Sequence, residues 1–70
     1  MKVFEIDYLD IALDDLPPKG EPLVCLDPQK RLGEKTWSVL ISEGRNNVAD
    51  AIGLFWNRED AIFLALQLEL

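Results

Sequence analysis

Hydrophobic and polar residues alternate in two parts of the chain, and this alternation predicts strands. In residues 2–9, Phe4, Ile6 and Tyr8 share one face and the intervening positions share the other. Residues 36–42 show the same period of two, with β-branched and aromatic residues at alternate positions. A period of two is typical of a strand with one buried face. We therefore predict strands over 2–9 and 36–42.

Two shorter apolar stretches predict further strands. Residues 23–26 form an apolar run between two prolines, which indicates a short strand at an edge or end of a sheet. Residues 48–56 fit either a helix behind an Asn cap or a strand. Gly53 weakens the helix, because glycine is a poor helix former. We favour a strand over 50–56 and leave the helix open as the alternative.

The last segment predicts a helix over 58–69. Asn57 is a favourable N-cap residue, and Glu59 and Asp60 place negative charge in the first turn, where the helix dipole favours it. The residues that follow are mostly good helix formers. Leucines at every second position from 64 to 70 also fit a strand, but propensity and the cap favour the helix.

These elements predict one α+β domain over residues 1–70. Residues 14–20 contain two prolines and a glycine, and residues 43–47 are rich in Gly and Asn, so both segments break regular structure. Consecutive strands joined by short turns favour antiparallel pairing. The expected fold is a three- to four-stranded, mostly antiparallel β-meander with one C-terminal helix packed on one face.

The predicted helix is more apolar than a helix on one small sheet should be. Between positions 61 and 70 only Gln67 and Glu69 are polar. One apolar stripe at helical spacing suits the sheet, and it comprises Ala61, Leu64, Ala65 and Leu68. A second stripe comprises Phe63, Leu66 and Leu70. An exposed apolar surplus marks an interface, and three explanations stay open: cover by loops such as 9–20, a homodimer, or the groove of a different protein.

Charge narrows the range of partners. The chain has 13 acidic and 7 basic residues, for a net charge of −6. Binding to duplex nucleic acid needs clustered Lys and Arg, so it is not expected. The acidic residues near the N-terminus that a basic partner would meet are Asp7, Asp10, Asp14 and Asp15. They lack the glycine of a calcium loop, and the simpler interpretation is a solvated acidic face.

The residue types needed for most catalytic and metal sites are missing. There is no histidine and one cysteine, which excludes an internal disulfide, a Cys–His nucleophile pair and a zinc site. We expect Cys25 to be buried with a raised pKa. No glycine-rich phosphate loop is present. Lys30, Arg31 and Lys35 near Trp37 form a small basic cluster, for which solvated turn residues are the simpler reading than a single-stranded nucleic-acid site. No enzyme, metal or cofactor is predicted.

Membrane insertion is not expected either. No stretch approaches 18 apolar residues, and charges enter within the first five positions, so neither a spanning helix nor a signal peptide is predicted. A lone thiol suits a reducing, cytoplasmic location. Trp37 and Trp56 are expected on paired strands, where either can fill the core or serve as a binding anchor.

The leading hypothesis is a non-enzymatic protein-binding module, homodimeric, with an interface that includes Phe63, Leu66 and Leu70. The alternative is an acidic inhibitor or nucleic-acid mimic that blocks a basic surface, of the kind common among phage and mobile-element products. That alternative depends on size and charge alone. A regulatory or chaperone-like subunit of a larger complex is the third hypothesis.

Overall fold

The computed structural model describes residues 1–27, 35–44 and 51–69. The elements within them are β1 (Lys2–Asp7), β2 (Pro22–Leu26), β3 (Trp37–Ile41), β4 (Ala51–Phe55) and α1 (Arg58–Leu68). The strands form one sheet in the order β1-β2-β3-β4, and α1 packs on one face of it. The predicted α+β class, with a mostly antiparallel sheet and a C-terminal helix, is confirmed.

One strand pair differs from the antiparallel pairing expected of consecutive strands. β2 pairs antiparallel with β3, and β3 with β4, but β1 runs parallel to β2, with Val3 beside Val24. A parallel pair needs a connection that returns along the whole strand. Residues 8–21, the crossover, make that return through two short 3₁₀ helices, Tyr8–Asp10 and Leu13–Asp15.

The start of the crossover also explains why β1 is shorter than predicted. The strand ends at Asp7 rather than continuing to Leu9, because Tyr8–Asp10 turns into a 3₁₀ helix. The backbone N–H of Leu9 donates to Asp7 Oδ1 at 2.8 Å, which caps this turn. An aspartate side chain that accepts from a backbone N–H two residues later is a common turn former.

The ambiguous stretch 48–56 forms a strand over most of the part that the structure describes, and Trp56 lies just after the strand. β4 covers Ala51–Phe55, so the strand preferred over the helix is correct there. Residues 48–50 lie outside the described residues. The register between β3 and β4 shifts at Ile52, since Val39 pairs with Gly53 and Leu40 with Ala51.

The sheet has an apolar cluster on each face. The cluster under the helix contains Val24, Trp37, Val39, Ala61 and Ala65. The cluster on the opposite face contains Ile11, Leu23, Cys25 and Leu40, with Phe4, Tyr8 and Leu16 packed against it. The central strands β2 and β3 therefore contribute to both clusters, and this accounts for their nearly continuous burial.

The crossover is fastened to the sheet at its far end by hydrogen bonds to Ser42. The buried Ser42 hydroxyl donates to the backbone carbonyl of Pro17 at 2.6 Å. The backbone N–H of Gly20 donates to the Ser42 carbonyl at 2.8 Å, and the Ser42 N–H donates to the Glu21 carbonyl at 2.8 Å. Gly20 has a φ of 95°, a value that glycine adopts without strain.

The N-terminal end of α1 differs in detail from the predicted capping, and its C-terminal end is held by an ion pair. Asn57 has the extended backbone of an N-cap residue, but its side-chain amide donates to the Asp60 carboxylate at 3.4 Å instead of accepting a backbone N–H. At the other end, Glu69 forms an ion pair with the amino group of Met1. That pairing offsets the unfavourable position of a carboxylate at a helix C-terminus.

Candidate functional site

The helix turns two alanines toward the sheet and places two of its large apolar residues on the far side. Ala61 and Ala65 have no exposed surface, whereas Phe63 is 67% exposed and Leu66 is 47% exposed. At 100° per residue, Phe63 lies diametrically opposite the midpoint between Ala61 and Ala65. We call the exposed pair Phe63 and Leu66 the outer helix surface.

Two predicted interface residues are brought together on this surface, and the third is outside the described part of the chain. Phe63 and Leu66 are three positions apart on the same side of α1, so their side chains are neighbours. Leu70 lies outside the described residues. The crossover lies on the opposite face of the sheet. Loop 9–20, one of the three explanations for the apolar surplus, therefore does not cover the outer helix surface.

The helix stripe of Ala61, Leu64, Ala65 and Leu68 is only partly covered by the sheet. Leu64 packs against the sheet beside Gly53, where a Cβ would lie 2.8 Å from Leu64 Cδ2. Leu68 sits near the start of β2, beside an open cleft of about 390 Å³ that Gly20, Glu21 and Pro22 also line. Glu69 also lines this cleft, which is open to solvent, whereas small-molecule sites bury most of the ligand surface.

A second apolar surface lies on the crossover. Tyr8, Ile11 and Leu16 point into the sheet, whereas Leu9 is 72% exposed and Leu13 is 59% exposed. Three carboxylates are exposed on the same segment. We define the crossover surface as Leu9, Asp10, Leu13, Asp14 and Asp15.

Three of the four predicted acidic residues belong to this surface, and one has a local role. Asp10, Asp14 and Asp15 are exposed, but Asp7 is half-buried and accepts the Leu9 N–H. Sequence reasoning missed the two exposed leucines. They alternate with Ile11 in one pattern that fits either a continued strand or a short helical turn, and the structure buries Ile11 and exposes both leucines.

The charge around the crossover surface is strongly one-sided. Residues 5–15 contain five carboxylates and no Lys or Arg, in a chain whose net charge is −6. At the edge of the segment, Lys2 Nζ donates to the backbone carbonyl of Asp15 at 2.9 Å. Lys2 and Arg58, whose Nε lies 3.7 Å from Glu5 Oε1, bring positive charge to the two ends of the segment, and the segment itself keeps an excess of carboxylates.

The buried thiol is chemically inert, as expected. Cys25 is fully buried between the sheet and the crossover. Burial, together with the negative charge of Asp7, raises the pKa of the Cys25 thiol to about 12. Since the thiolate is the nucleophilic form, Cys25 has no means of acting as a nucleophile near neutral pH. Among the described residues, no group of three or more Cys, Asp or Glu side chains is placed to hold a metal ion.

The tryptophans divide between core and surface. Trp37 is buried under α1, and Lys35 Nζ lies 5.6 Å from its ring centroid, within range of a cation–π contact. Trp56 is half exposed just after β4. Lys30 and Arg31, the remainder of the predicted basic cluster, lie outside the described residues.

Comparisons with protein-family models, with curated proteins and with solved structures return no match. Within the described residues, no helix has the length and apolar content needed to cross a membrane. Function therefore has to be inferred from the two surfaces themselves.

Proposed function

We propose that this chain is a protein-binding module that acts through the outer helix surface, with a second copy of the chain as its partner. The observation that supports this is the orientation of α1. Ala61 and Ala65 are fully buried and Ile62 and Leu64 pack against the same cluster, while Phe63 and Leu66 face solvent. The two exposed side chains forgo part of the about 1.5–3 kcal/mol that full burial of a Leu or Phe contributes.

A protein is the natural partner for a surface of this shape. The outer helix surface is convex, whereas small molecules are usually bound in clefts. Apolar anchors three positions apart on a helix are typical of helix pairing and of helix-in-groove recognition. Aromatic side chains such as Phe63 supply a large contact area in such interfaces.

A second copy fits because the surface is self-complementary. In a two-fold pair with antiparallel helices, Phe63 of one copy meets Leu66 of the other, and the two contacts are equivalent. Antiparallel pairing also sets the acidic N-terminal turn of each helix apart from that of its partner. The helix dipoles are then aligned favourably.

Sedimentation velocity over a range of protein concentrations tests this proposal. We expect a dimer at about 50 mM and at about 500 mM NaCl, because apolar contacts are barely screened by salt. The double variant Phe63→Gln/Leu66→Gln should be monomeric with an unchanged circular dichroism spectrum. Ile52→Gln is the matched control, because Ile52 is 46% exposed, close to the 47% of Leu66, but lies on β4.

Two outcomes would contradict the proposal. A wild-type monomer at every concentration would exclude self-association and leave the outer helix surface to a different protein. A double variant that remains dimeric with the fold intact would place the dimer interface elsewhere on the molecule.

A second candidate function is that of an acidic inhibitor or nucleic-acid mimic. It is favoured by the concentration of negative charge on residues 5–15, where Asp10, Asp14 and Asp15 are exposed. Binding of this type would weaken steeply as salt rises, because exposed charges are screened. The salt series therefore separates it from apolar dimerisation.

A further inference from the structure

We propose that the crossover surface binds a basic amphipathic segment of another protein, with Leu9 and Leu13 contacting its apolar side chains and the neighbouring aspartates its cations. Leu9 and Leu13 are the most exposed leucines among the residues whose burial is described. They lie four positions apart on one short segment with Asp10, Asp14 and Asp15. A surface with both apolar and negatively charged side chains is best matched by a partner with both apolar and positively charged side chains.

The fold itself presents the leucines to solvent. Tyr8, Ile11 and Leu16 anchor the segment on the sheet, and the residues between the anchors must point away. Turns need only polar or small residues at outward positions. The anchors already hold the segment on the sheet, so the two leucines are not needed for its packing. Their exposed apolar area marks the pair as a contact site rather than as part of the core.

Charge complementarity selects the occupant. A nucleic acid or an anionic lipid surface would bring negative charge onto Asp10, Asp14 and Asp15, and a second copy of this surface would do the same. Like charges placed together at an interface disfavour binding. A protein segment with Lys or Arg beside apolar residues satisfies the leucines and the carboxylates together.

This inference narrows the second candidate function and is independent of self-association through α1. A pure mimic of nucleic-acid phosphates has no need of exposed leucines, so the crossover surface is better suited to an amphipathic partner. The outer helix surface and the crossover surface lie on opposite faces of the sheet. A dimer formed through α1 would leave both crossover surfaces free for partners.

Two labelled peptides of equal length and charge test the inference. One is an amphipathic peptide of Lys and Leu, and the other has every Leu replaced by Ser. Fluorescence anisotropy gives the Kd of each with the full chain. We expect the Lys–Leu peptide to bind at least about tenfold more tightly, because burying a leucine side chain yields more than the 1.4 kcal/mol that a tenfold change represents.

Variants assign the binding to the surface. Leu9→Gln/Leu13→Gln should raise the Kd of the Lys–Leu peptide about tenfold or more and leave the Kd of the Lys–Ser peptide unchanged. Asp10→Asn/Asp15→Asn should weaken both peptides and flatten their salt dependence. The charge-matched control is Glu21→Gln/Glu43→Gln, which removes two carboxylates from a different part of the surface. If the double leucine variant loses its folded circular dichroism spectrum, Leu13→Gln alone replaces it.

Three results would overturn the inference. The first is no measurable binding of the Lys–Leu peptide at low salt. The second is equal binding of both peptides, which would leave the leucines without a role. The third is equal weakening by the Asp and Glu double variants, which would mean that overall charge alone attracts the peptide. None of these results bears on the dimer measured by sedimentation.

Discussion

Gly53 of β4 and Leu64 of α1 lie so close together that a Cβ on the glycine would fall 2.8 Å from Leu64 Cδ2. The same Cβ would lie 2.9 Å from Cε2 of Phe55. Both distances are shorter than side chains tolerate, so any larger residue at position 53 must displace its neighbours. The glycine thus sets how closely the helix approaches the edge of the sheet.

Gly53→Ala should lower the free energy of unfolding by about 1 kcal/mol, near the lower end of the range for overpacking, because both crowded atoms are side-chain tips. A double-mutant cycle with Leu64→Ala tests the cause. The alanine at 53 should be less harmful in the Leu64→Ala background, with a coupling of about 0.5 kcal/mol or more in urea denaturation. Strict additivity would show that the contact is not the source of the loss.

The raised pKa of Cys25 predicts a loss of stability at alkaline pH. The folded thiol has a pKa of about 12, against 9.0 for an unperturbed thiol, so the folded state holds its proton more tightly than the unfolded state. This contribution is complete below about pH 9 and declines as pH rises toward 12, by at most about 1.4 kcal/mol per pH unit. The difference in stability between wild type and Cys25→Ala should therefore shrink from pH 9 to pH 11.

Thiol labelling gives an independent measure of the same burial. At pH 8, a thiol reagent should modify Cys25 only at the rate of opening or unfolding, and urea should accelerate the reaction sharply. Modification as fast as that of a free thiol in the absence of urea would show that the crossover does not shield Cys25.

Ser42→Ala should loosen the far end of the crossover. The substitution leaves the Pro17 carbonyl without the hydroxyl that donates to it at 2.6 Å, and a buried unsatisfied group costs about 1–3 kcal/mol. The Gly44 N–H, which donates to Ser42 Oγ at 3.2 Å, should exchange faster with solvent. A loss below about 0.5 kcal/mol with unchanged Gly44 exchange would show that water replaces the serine readily.

The elements themselves could be predicted from local patterns, since each depends on nearby residues. The period of two in β1 and β3 needs only the alternation of side chains across a strand. The start of α1 needs only the acidic first turn and the helix formers after it. These features act over a few residues, so the boundaries of β2, β3, β4 and α1 fall within one or two residues of those predicted.

The direction of β1 and the exposure of the two leucines could not be predicted in this way. Alternation is the same for parallel and antiparallel strands, and the choice between them depends on the path of the crossover. Leu9, Ile11 and Leu13 also follow one alternating pattern, yet Ile11 is buried and the leucines are exposed. The 3₁₀ helices break the strand geometry between them, and that change arises from packing on the sheet.

The outer helix surface could also be predicted only in part from the sequence. The surplus of apolar residues on α1 is evident from composition, and it led to Phe63 and Leu66 as interface candidates. Which stripe faces the sheet depends on how near the helix can approach. The absence of side-chain bulk at Gly53 and the small size of Ala61 and Ala65 together permit a close approach, with Leu64 packed beside Gly53 and with Phe63 and Leu66 on the far side.

The parallel pairing of β1 with β2 also has a consequence for the order of folding. In the two antiparallel pairs the nearest partners are eleven positions apart, Leu26 with Trp37 and Leu40 with Ala51, so each pairing closes a short loop. The nearest partners of the parallel pair, Asp7 and Leu26, are nineteen positions apart. Loop-closure entropy therefore favours early assembly of β2, β3 and β4, with β1 and its crossover joining a sheet already formed.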